Sequence, residues 1–317
     1  MRRLSIAVSM LLVAAQALAQ GYPNRPIRLL VGFGAGAPDT VARLIAPPLA
    51  AALGQPVVVE NRTGANGVIA TELMAKAPAD GHTLLVSSTS IVVNPSIYKK
   101  LPYELERDVL PVSMICSNEA LIIGVNAALA ARSLEELIAL STREKLAYGT
   151  PGVGNTLHLA MELFKAKTRA EILHVPYKGA GPAITALLAN EVQAMVLTPP
   201  LSLPHIRSGK LRALATTGAK RMAVLPETPT VVEAKLPDLV MDGGWHALFA
   251  PAATPPAIIK RLNDELVKAL ADATVRERLA GLGLDPVGNT SAEFTKIFSE
   301  QIRSHAEMVR IAGIQPE

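Results

Sequence analysis

The stretch RLLVGFGAGAPDTVARL, residues 28–44, joins an apolar strand pattern to a helix pattern through a glycine-rich loop. The loop, Gly32–Ala37, fits G-x-G-x-x-A, an accepted form of the dinucleotide-binding fingerprint. A second apolar run, Val57–Val59, ends in Glu60, where that fingerprint places a ribose-binding acid. The stretch therefore predicts an α/β unit with an anion-binding loop, and it leaves the identity of the anion open.

Residues 1–20 have the three-part layout of a secretory signal peptide. Arg2 and Arg3 give a positive start, Leu4–Ala15 is an apolar core, and Ala17–Ala19 fits an A-x-A cleavage site. The apolar core is shorter than the roughly 20 residues of a transmembrane helix, although a retained anchor helix is the alternative. We expect cleavage near Ala19 and a periplasmic protein.

Composition excludes several classes of function. Removing Arg2 and Arg3 from the 31 basic residues leaves 29 against 27 acidic ones, so the exported chain carries a net charge of only +2. This balance, with 3% aromatic residues, argues against nucleic-acid binding. The single cysteine, Cys116, has no disulfide partner and lies in an apolar run, which favours a buried, inert thiol.

Apolar strands alternate with amphipathic helices, the pattern of mostly parallel sheets covered on both faces. A helix is predicted around Thr40–Leu53 and another at Leu157–Lys165, and Ser133 and Thr290 are predicted helix N-caps. The layout predicts two domains. Residues 21–122 form the first part of domain 1, residues 123–240 form domain 2, and residues 241–317 contain a crossover strand and helices that return to domain 1.

Motifs for catalysis or metal binding are weak. The chain has no G-x-S-x-G, no G-x-x-x-x-G-K and no H-E-x-x-H sequence. His158 and Glu162 share a helix face, but two ligands without a third do not make a metal site, and a capping or packing role is favoured. We therefore predict no enzyme activity, no cofactor and no metal.

Two loops do favour binding, because each places glycines and small polar residues at the start of a helix. One is the opening loop, and the other lies in YGTPGVGNTLHLAMELF, where Asn155 or Thr156 is the predicted N-cap. Free N–H groups of a first helical turn form a site for anions such as carboxylates. A third loop, Ser87–Ser90, follows a strand's carboxyl end, where open α/β sheets bind ligands. Ordinary turn chemistry remains the alternative for any one loop.

Several segments together resemble the Bug family, the extracytoplasmic substrate-binding proteins of tripartite tricarboxylate transporters, of the TctC type. They include LGQPVVVENRTGANG, ADGHTLLVSSTS, AYGTPGVGNTLHLAMELF and HVPYKGAGPAITALL, and the resemblance covers essentially the chain from Tyr22 onward. It implies a two-domain type II periplasmic-binding-protein fold, with mostly parallel sheets flanked by helices and a ligand cleft between the domains. It also implies a small carboxylate ligand: a di- or tricarboxylate, an acidic amino acid or an aromatic acid.

Carried over residue by residue, the resemblance implies a ligand-binding set drawn from both domains. The set is Phe33, Gly34, Gly36, Ala37, Asp39, Ser88, Thr89, Ser90, Gly152, Gly154, Asn155, Thr156, His158, Lys178 and Thr198. Asp39 is expected to cap and order its loop rather than to contact an anion, since like charges repel.

The chain departs from the family pattern at a few positions. Its first loop is one residue shorter than the usual F-P-P-G-G-x-x-D, and Asn155 replaces a serine. Gln193 and Leu197 replace the aspartates of a common QVDLMFD segment, which suggests a cleft that is less polar on one side.

The predicted protein is a monomer whose partners are a small carboxylate and, by resemblance, integral membrane subunits of the TctA/TctB type. A sensory module that docks on a receptor kinase is the alternative from another class. A NAD-dependent oxidoreductase built on the glycine loop is the remote one, because an exported protein lacks a cytoplasmic cofactor supply.

Overall fold

A computed structural model describes residues 21–316, so the predicted signal peptide lies outside the described residues. The described chain forms two β-sheets. The strands are β1 Ile27–Val31, β2 Val57–Asn61, β3 Thr83–Ser88, β4 Val109–Ser117, β5 Ile122–Asn126, β6 Leu146–Thr150, β7 Ile172–Pro176, β8 Ala194–Leu197, β9 Leu211–Thr216, β10 Trp245–Pro251 and β11 Asp285–Pro286. The first sheet has the order β11-β4-β10-β3-β1-β2, and the second has the order β7-β6-β8-β5-β9.

Helices cover both faces of each sheet. In chain order they are α1 Ala37–Leu53, α2 Val68–Ala75, α3 Ser90–Ile97, α4 Leu105–Asp108, α5 Leu134–Ser141, α6 Thr156–Thr168, α7 Ala180–Leu188, α8 Pro199–Arg207, α9 Pro256–Ala271, α10 Ala273–Gly281 and α11 Ser291–Ile311. Two short 3₁₀ turns lie at Ala65–Gly67 and Pro237–Leu239. The α/β alternation predicted from the sequence is therefore confirmed.

Both sheets are mixed rather than mostly parallel. Within residues 21–316, four strand pairings are parallel and five are antiparallel. The antiparallel pairings arise where the chain passes between the sheets: β5 and β9 pair antiparallel, and β10 enters the first sheet between β3 and β4 in the opposite direction. A continuous apolar run does not reveal strand direction, so the sequence pattern could not show this.

Helix α1 begins three residues earlier than predicted. Ala37 opens it and Pro38 lies in its first turn, where a missing N–H costs no intrahelical hydrogen bond. The helix ends at Gly54, as expected from the pattern, in a left-handed C-cap with φ 70°. Its apolar face, including Val41 and Ile45, packs into the core of the first sheet.

Three predicted N-caps are confirmed. The Ser133 hydroxyl accepts from the Glu136 N–H, and Thr290 forms a capping box with Glu293 at the start of α11. The Asn155 side chain accepts from the Leu157 N–H, so α6 begins at Thr156, one residue before the predicted start.

An aromatic cluster fixes β10 to α11. Trp245 and Phe249 on the strand pack against Phe294 and Phe298 on the helix, with ring centroids 5.1–6.3 Å apart. These are four of the six Phe and Trp residues of the chain, so aromatic burial is concentrated on the element that passes between the sheets. Cys116, on the neighbouring strand, is buried as predicted, and burial raises the pKa of its thiol.

No helix among residues 21–316 combines the length and apolar character needed to cross a bilayer.

Replacing Phe298 by alanine should lower the free energy of unfolding by about 3–5 kcal/mol, because the substitution leaves a cavity in this cluster. Leu173→Ala is the matched control: Leu173 is 70% exposed and its loss should change stability by less than about 0.5 kcal/mol. Urea titration followed by tryptophan fluorescence measures both. Equal effects of the two substitutions would show that the cluster does not hold β10 in place.

Candidate functional site

A cavity lies between the two sheets, and we call it the inner cavity. Loops that follow β1 and β3 line it from the first sheet, loops that follow β6, β7 and β8 line it from the second, and the connecting segments close its base. Its lining residues are Phe33, Gly34, Ala35, Gly36, Ala37, Pro38, Ser88, Thr89, Ser90, Asn118, Leu121, Pro151, Asn155, Thr156, Leu157, Ala180, Thr198, Gly243, Trp245 and His246.

Five helices begin at the inner cavity: α1, α3, α6, α7 and α8. Four of them, all except α6, have no side-chain hydrogen bond at the N-cap. First-turn N–H groups have no intrahelical partner, and each helix N-terminus carries about half a positive charge. The arrangement therefore directs five positive dipole ends at one small space, three of them from the second sheet.

Within the described residues, the lining of the inner cavity includes no Asp, Glu, Lys or Arg side chain. The titratable group on the wall is His246, whose burial lowers its pKa to about 4, so the ring is neutral at pH 7. Any attraction for an anion inside this cavity comes from helix N-termini and neutral hydrogen-bond donors rather than from a cationic side chain.

Direct hydrogen bonds cross the cleft. The Ser90 hydroxyl lies 2.7 Å from the Thr156 hydroxyl and accepts from the Thr156 N–H at 3.2 Å. Farther out, Asn66 Nδ2 donates to the Gly154 carbonyl at 3.1 Å. The two halves of the site, one built on each sheet, therefore contact each other through groups that follow β3, β2 and β6. The cleft between them is closed in this structure.

Gly154 is required for this contact. Its φ is +72°, and a Cβ at this position would lie 1.6 Å from Ile97 Cδ1 on helix α3. The loop can therefore approach α3 only if residue 154 has no side chain.

The segments that connect the sheets form a short two-stranded ribbon. Asn118 N–H donates to the Gly244 carbonyl at 2.8 Å, and Gly243 N–H donates back to Asn118 O at 3.1 Å. Thr217 bonds through its backbone to both Leu121 and Met241. A Cβ at Gly243 would lie 2.2 Å from Asn118 Cβ, so this close pairing also needs glycine. The ribbon is the covalent and hydrogen-bonded connection between the two halves.

A second cavity, the outer cavity, adjoins the inner one through Phe33, Gly34 and Pro151. Its wall includes the 3₁₀ turn at Ala65–Gly67 and the loop around Lys178, whose side chain is exposed. Among its lining residues, Lys178 is the one cationic side chain.

Most of the residues predicted from the sequence meet at these cavities. Two of them, Gly152 and Lys178, line the outer cavity. Those on the inner cavity are Phe33, Gly34, Gly36, Ala37, Ser88, Thr89, Ser90, Asn155, Thr156 and Thr198. The Thr89 hydroxyl is already engaged, since it accepts from the Trp245 N–H at 2.8 Å.

Three predicted residues line neither cavity, and their roles are revised. Asp39 accepts from Arg43 and from Asn61, and Asn61 also donates to the Phe33 carbonyl at 2.8 Å, so this network orders the first loop without capping α1. Gly154 lies against Ile97, as described above.

The third, His158, is buried behind its loop. Its Nδ1 accepts from the Gly154 N–H at 3.2 Å, and its ring stacks on His174 with centroids 4.1 Å apart. Burial lowers the pKa of both histidines, that of His174 to about 4. Glu162 accepts from Tyr148 and Lys165, so the His158–Glu162 pair is a packing arrangement. Within residues 21–316, no three His, Cys, Asp or Glu side chains are grouped to hold a metal.

The two substituted positions of the QVDLMFD segment also lie off the cavity. Gln193 Oε1 accepts from the Ala147 N–H at 2.9 Å, and Leu197 is buried in the core of the second sheet. The suggestion that they make the cleft less polar is therefore wrong, and Thr198, the next residue, is the one on the wall.

Sequence reasoning missed the base of the cavity, which is formed by Asn118, Leu121, Gly243, Trp245 and His246. These residues are far apart in the chain and lie in or beside strands in which no binding motif was identified. The available signal was the polar His246 inside the apolar run of β10, after two glycines.

The dinucleotide interpretation fails at the second strand. Glu60, which would have to bind a ribose, accepts from Arg28 at 2.9 and 3.0 Å and from Arg62 at 2.9 Å. These ion pairs lower its pKa to about 2 and occupy both carboxylate oxygens.

The chain is similar in sequence and in structure to known proteins. The chain is 40% identical over 306 residues to Protein BugT of Bordetella pertussis, covering 95% of this chain and 93% of that protein. Its fold is similar to that of Rpa4515 from R. palustris with adipate, with a TM-score of 0.89, 33% identity, and coverage of 93% and 100% of the two chains. MatC from Rhodopseudomonas palustris with bound malate is similar with a TM-score of 0.86, 30% identity, and coverage of 91% and 100%.

The family model described as "Tripartite tricarboxylate transporter family receptor" matches residues 41–314. This match includes every strand except β1 and every loop that lines the inner cavity from residue 88 onward. The chain is therefore a member of the TctC family of tripartite tricarboxylate transporter receptors.

Proposed function

We propose that this protein is an exported solute-binding protein that captures a small carboxylate in the inner cavity. It would act in the periplasm and deliver the ligand to integral membrane subunits of a tripartite transporter. No covalent step and no cofactor are part of this function.

The observation that carries the proposal is the convergence of five helix N-termini on a cavity without charged side chains. A buried anion needs hydrogen-bond donors, because its desolvation is costly. The uncapped first turns of α1, α3 and α7 supply such donors together with a favourable dipole, which suits a carboxylate. Helix α8 begins with Pro199 and Pro200, which have no N–H, so it contributes mainly its dipole. The same dipoles would repel a ligand with a net positive charge.

The connecting ribbon supports a capture mechanism in which the two halves rotate and close on the ligand. In the closed arrangement, hydroxyl groups from both halves contact each other at Ser90 and Thr156. A ligand that bridges the halves stabilises this arrangement, since it gains contacts with both only when the cleft is closed.

The relatives support the choice of ligand class. Adipate and malate, present in two similar structures, are both small carboxylates. We infer that the ligand of this protein belongs to the same class, and that the residues of the inner cavity named above contact it.

Small carboxylates should raise the melting temperature of the purified protein, because ligand that binds only the folded state stabilises it by about 2.7 kcal/mol at a concentration of 100 Kd. A thermal-shift panel of di- and tricarboxylates, acidic amino acids and aromatic acids measures this effect. The matched diamides, such as adipamide for adipate, are the control and should give no shift. A panel in which no acid stabilises the protein would contradict the proposed function.

Replacing Ser90 by alanine should weaken binding of a stabilising acid by about 5- to 10-fold, roughly 1 kcal/mol, because a hydrogen bond across the closed cleft is lost. Ser304→Ala removes an exposed hydroxyl on α11, away from both cavities, and should leave the affinity unchanged. Isothermal titration calorimetry compares the two variants. An unchanged affinity in Ser90→Ala would show that this hydroxyl does not contribute to capture.

Replacing Lys178 by alanine should lower the association rate about 2- to 5-fold at low salt and leave the dissociation rate unchanged. An exposed charge on the outer cavity changes the rate at which a charged ligand meets the protein, and salt screens this effect. Stopped-flow fluorescence at about 20 mM and about 500 mM NaCl measures both rates. Lys296→Ala, an exposed lysine outside both cavities, is the control. A faster dissociation rate would instead indicate direct contact between Lys178 and the ligand.

A further inference from the structure

Two buried polar side chains on the wall of the inner cavity lack hydrogen-bond partners. Asn118 and His246 are only 4% and 3% exposed. Among residues 21–316, neither the Oδ1 atom of Asn118 nor either ring nitrogen of His246 has a partner. The other buried polar atoms without partners belong to His82, Tyr103, Thr216 and Thr254, which do not line this cavity. Unpaired buried polar groups are costly, so a cluster of them on a binding cavity points to a ligand.

The two side chains belong to neighbouring strands and share one face of the sheet. His246 pairs with Cys116, and the Asn118 N–H donates to the carbonyl of Gly244, two residues before His246. Residues two apart on a strand point to the same side, so Asn118 and His246 are diagonal neighbours across the strand pair. They therefore form one patch at the base of the cavity.

The hydrogen-bonding character of the patch is defined. Asn118 Nδ2 donates to the Gly243 carbonyl at 2.9 Å, which fixes the amide orientation and leaves Oδ1 as an acceptor. The neutral His246 ring offers one donor and one acceptor. The patch thus presents two acceptors and one donor, and no positive charge.

Three kinds of ligand group can be compared against this patch. An ionised carboxylate cannot donate a hydrogen bond to the acceptor Oδ1 of Asn118 and would be repelled by it. An alkyl end would leave all the polar atoms of the patch without hydrogen bonds. A hydroxyl or amino group satisfies the acceptors, and a hydroxyl also accepts from the ring N–H.

We propose that Asn118 and His246 form a subsite that selects carboxylates carrying an additional hydrogen-bond donor, a hydroxyl or an amino group. This inference rests on the proposed function, because it assumes that the ligand's carboxylate is held at the helix N-termini. The hydroxyl or amino group of the ligand then gains hydrogen bonds at this subsite that a simple alkyl acid or dicarboxylate of the same length cannot make.

Matched acids test the subsite by isothermal titration calorimetry on the wild-type protein. The sets are succinate with malate; butyrate with 4-hydroxybutyrate and 4-aminobutyrate; and benzoate with 4-hydroxybenzoate and 4-aminobenzoate. In at least one set, a donor-bearing member should bind about 10- to 100-fold more tightly than its parent acid. The hydroxyl and amino members of that set identify which donor the subsite takes.

Variants then assign the preference to the patch. His246→Phe should reduce the ratio between donor-bearing and parent acid to within about threefold, while the parent acid still binds. His246→Gln, which keeps a donor and an acceptor, should retain most of the preference. His82→Phe is the matched control: His82 is also buried, but it packs against Tyr22 outside the cavity, so the ratio should not change.

The outcomes separate this inference from the proposed function. Carboxylates that bind without any preference for a donor, or a preference that persists in His246→Phe, would overturn the subsite and leave carboxylate capture standing. If His246→Phe does not fold, Asn118→Ser provides the second test, since its shorter side chain withdraws the acceptor from the cavity. Failure of every acid to bind would overturn both.

Discussion

The proposed ligand, a carboxylate, would have to be stabilised in the closed cleft by oriented backbone dipoles and neutral hydrogen-bond donors, and this requirement accounts for the architecture of the site. The inner cavity has no charged side chain among its described lining residues, so helix N-termini are the available source of positive potential. Helices begin after the carboxyl ends of strands. Two sheets whose strand ends face each other across a cleft can therefore direct five helix starts at one small space.

The same requirement accounts for the residues at the contact between the halves. Backbone N–H groups reach a ligand only if the loops that carry them approach closely. Gly154 permits the second-sheet loop to pack on Ile97, and Gly243 permits the connecting segments to pair at Asn118. At both positions a Cβ would overlap a neighbour, so the small residues follow from closure of the cleft as well as from turn geometry.

The features that could be predicted from the sequence are local ones. The caps at Ser133, Asn155 and Thr290 depend on a side chain and an N–H two or three residues away, and the structure confirms them. The glycine loop and the Ser87–Ser90 loop were likewise identified from short segments. Helix α1 starts three residues earlier than predicted, with Pro38 in its first turn, where proline is tolerated.

The features that could not be predicted depend on contacts between distant parts of the chain. Asn118 and Gly243 pair across 125 residues, and His246 reaches the cavity only because β10 runs antiparallel between β3 and β4. Apolar periodicity indicates that β10 is buried but not which neighbours it has. Without its neighbours, a histidine in such a strand cannot be distinguished from a core residue.

The connecting ribbon takes part in both the proposed capture and the proposed selectivity. Asn118, which lines the inner cavity, uses its backbone and its Nδ2 group to hold Gly243 and Gly244, and its buried Oδ1 atom has no hydrogen-bond partner among the described residues. A ligand group that bonds to Oδ1 therefore contacts the segment that connects the two halves. Contacts at Ser90 and Thr156 lie on the other side, where the halves meet. A ligand that satisfies both ends favours the closed state more strongly than one that satisfies either end alone, because the differential affinity for the two states sets how far the equilibrium shifts.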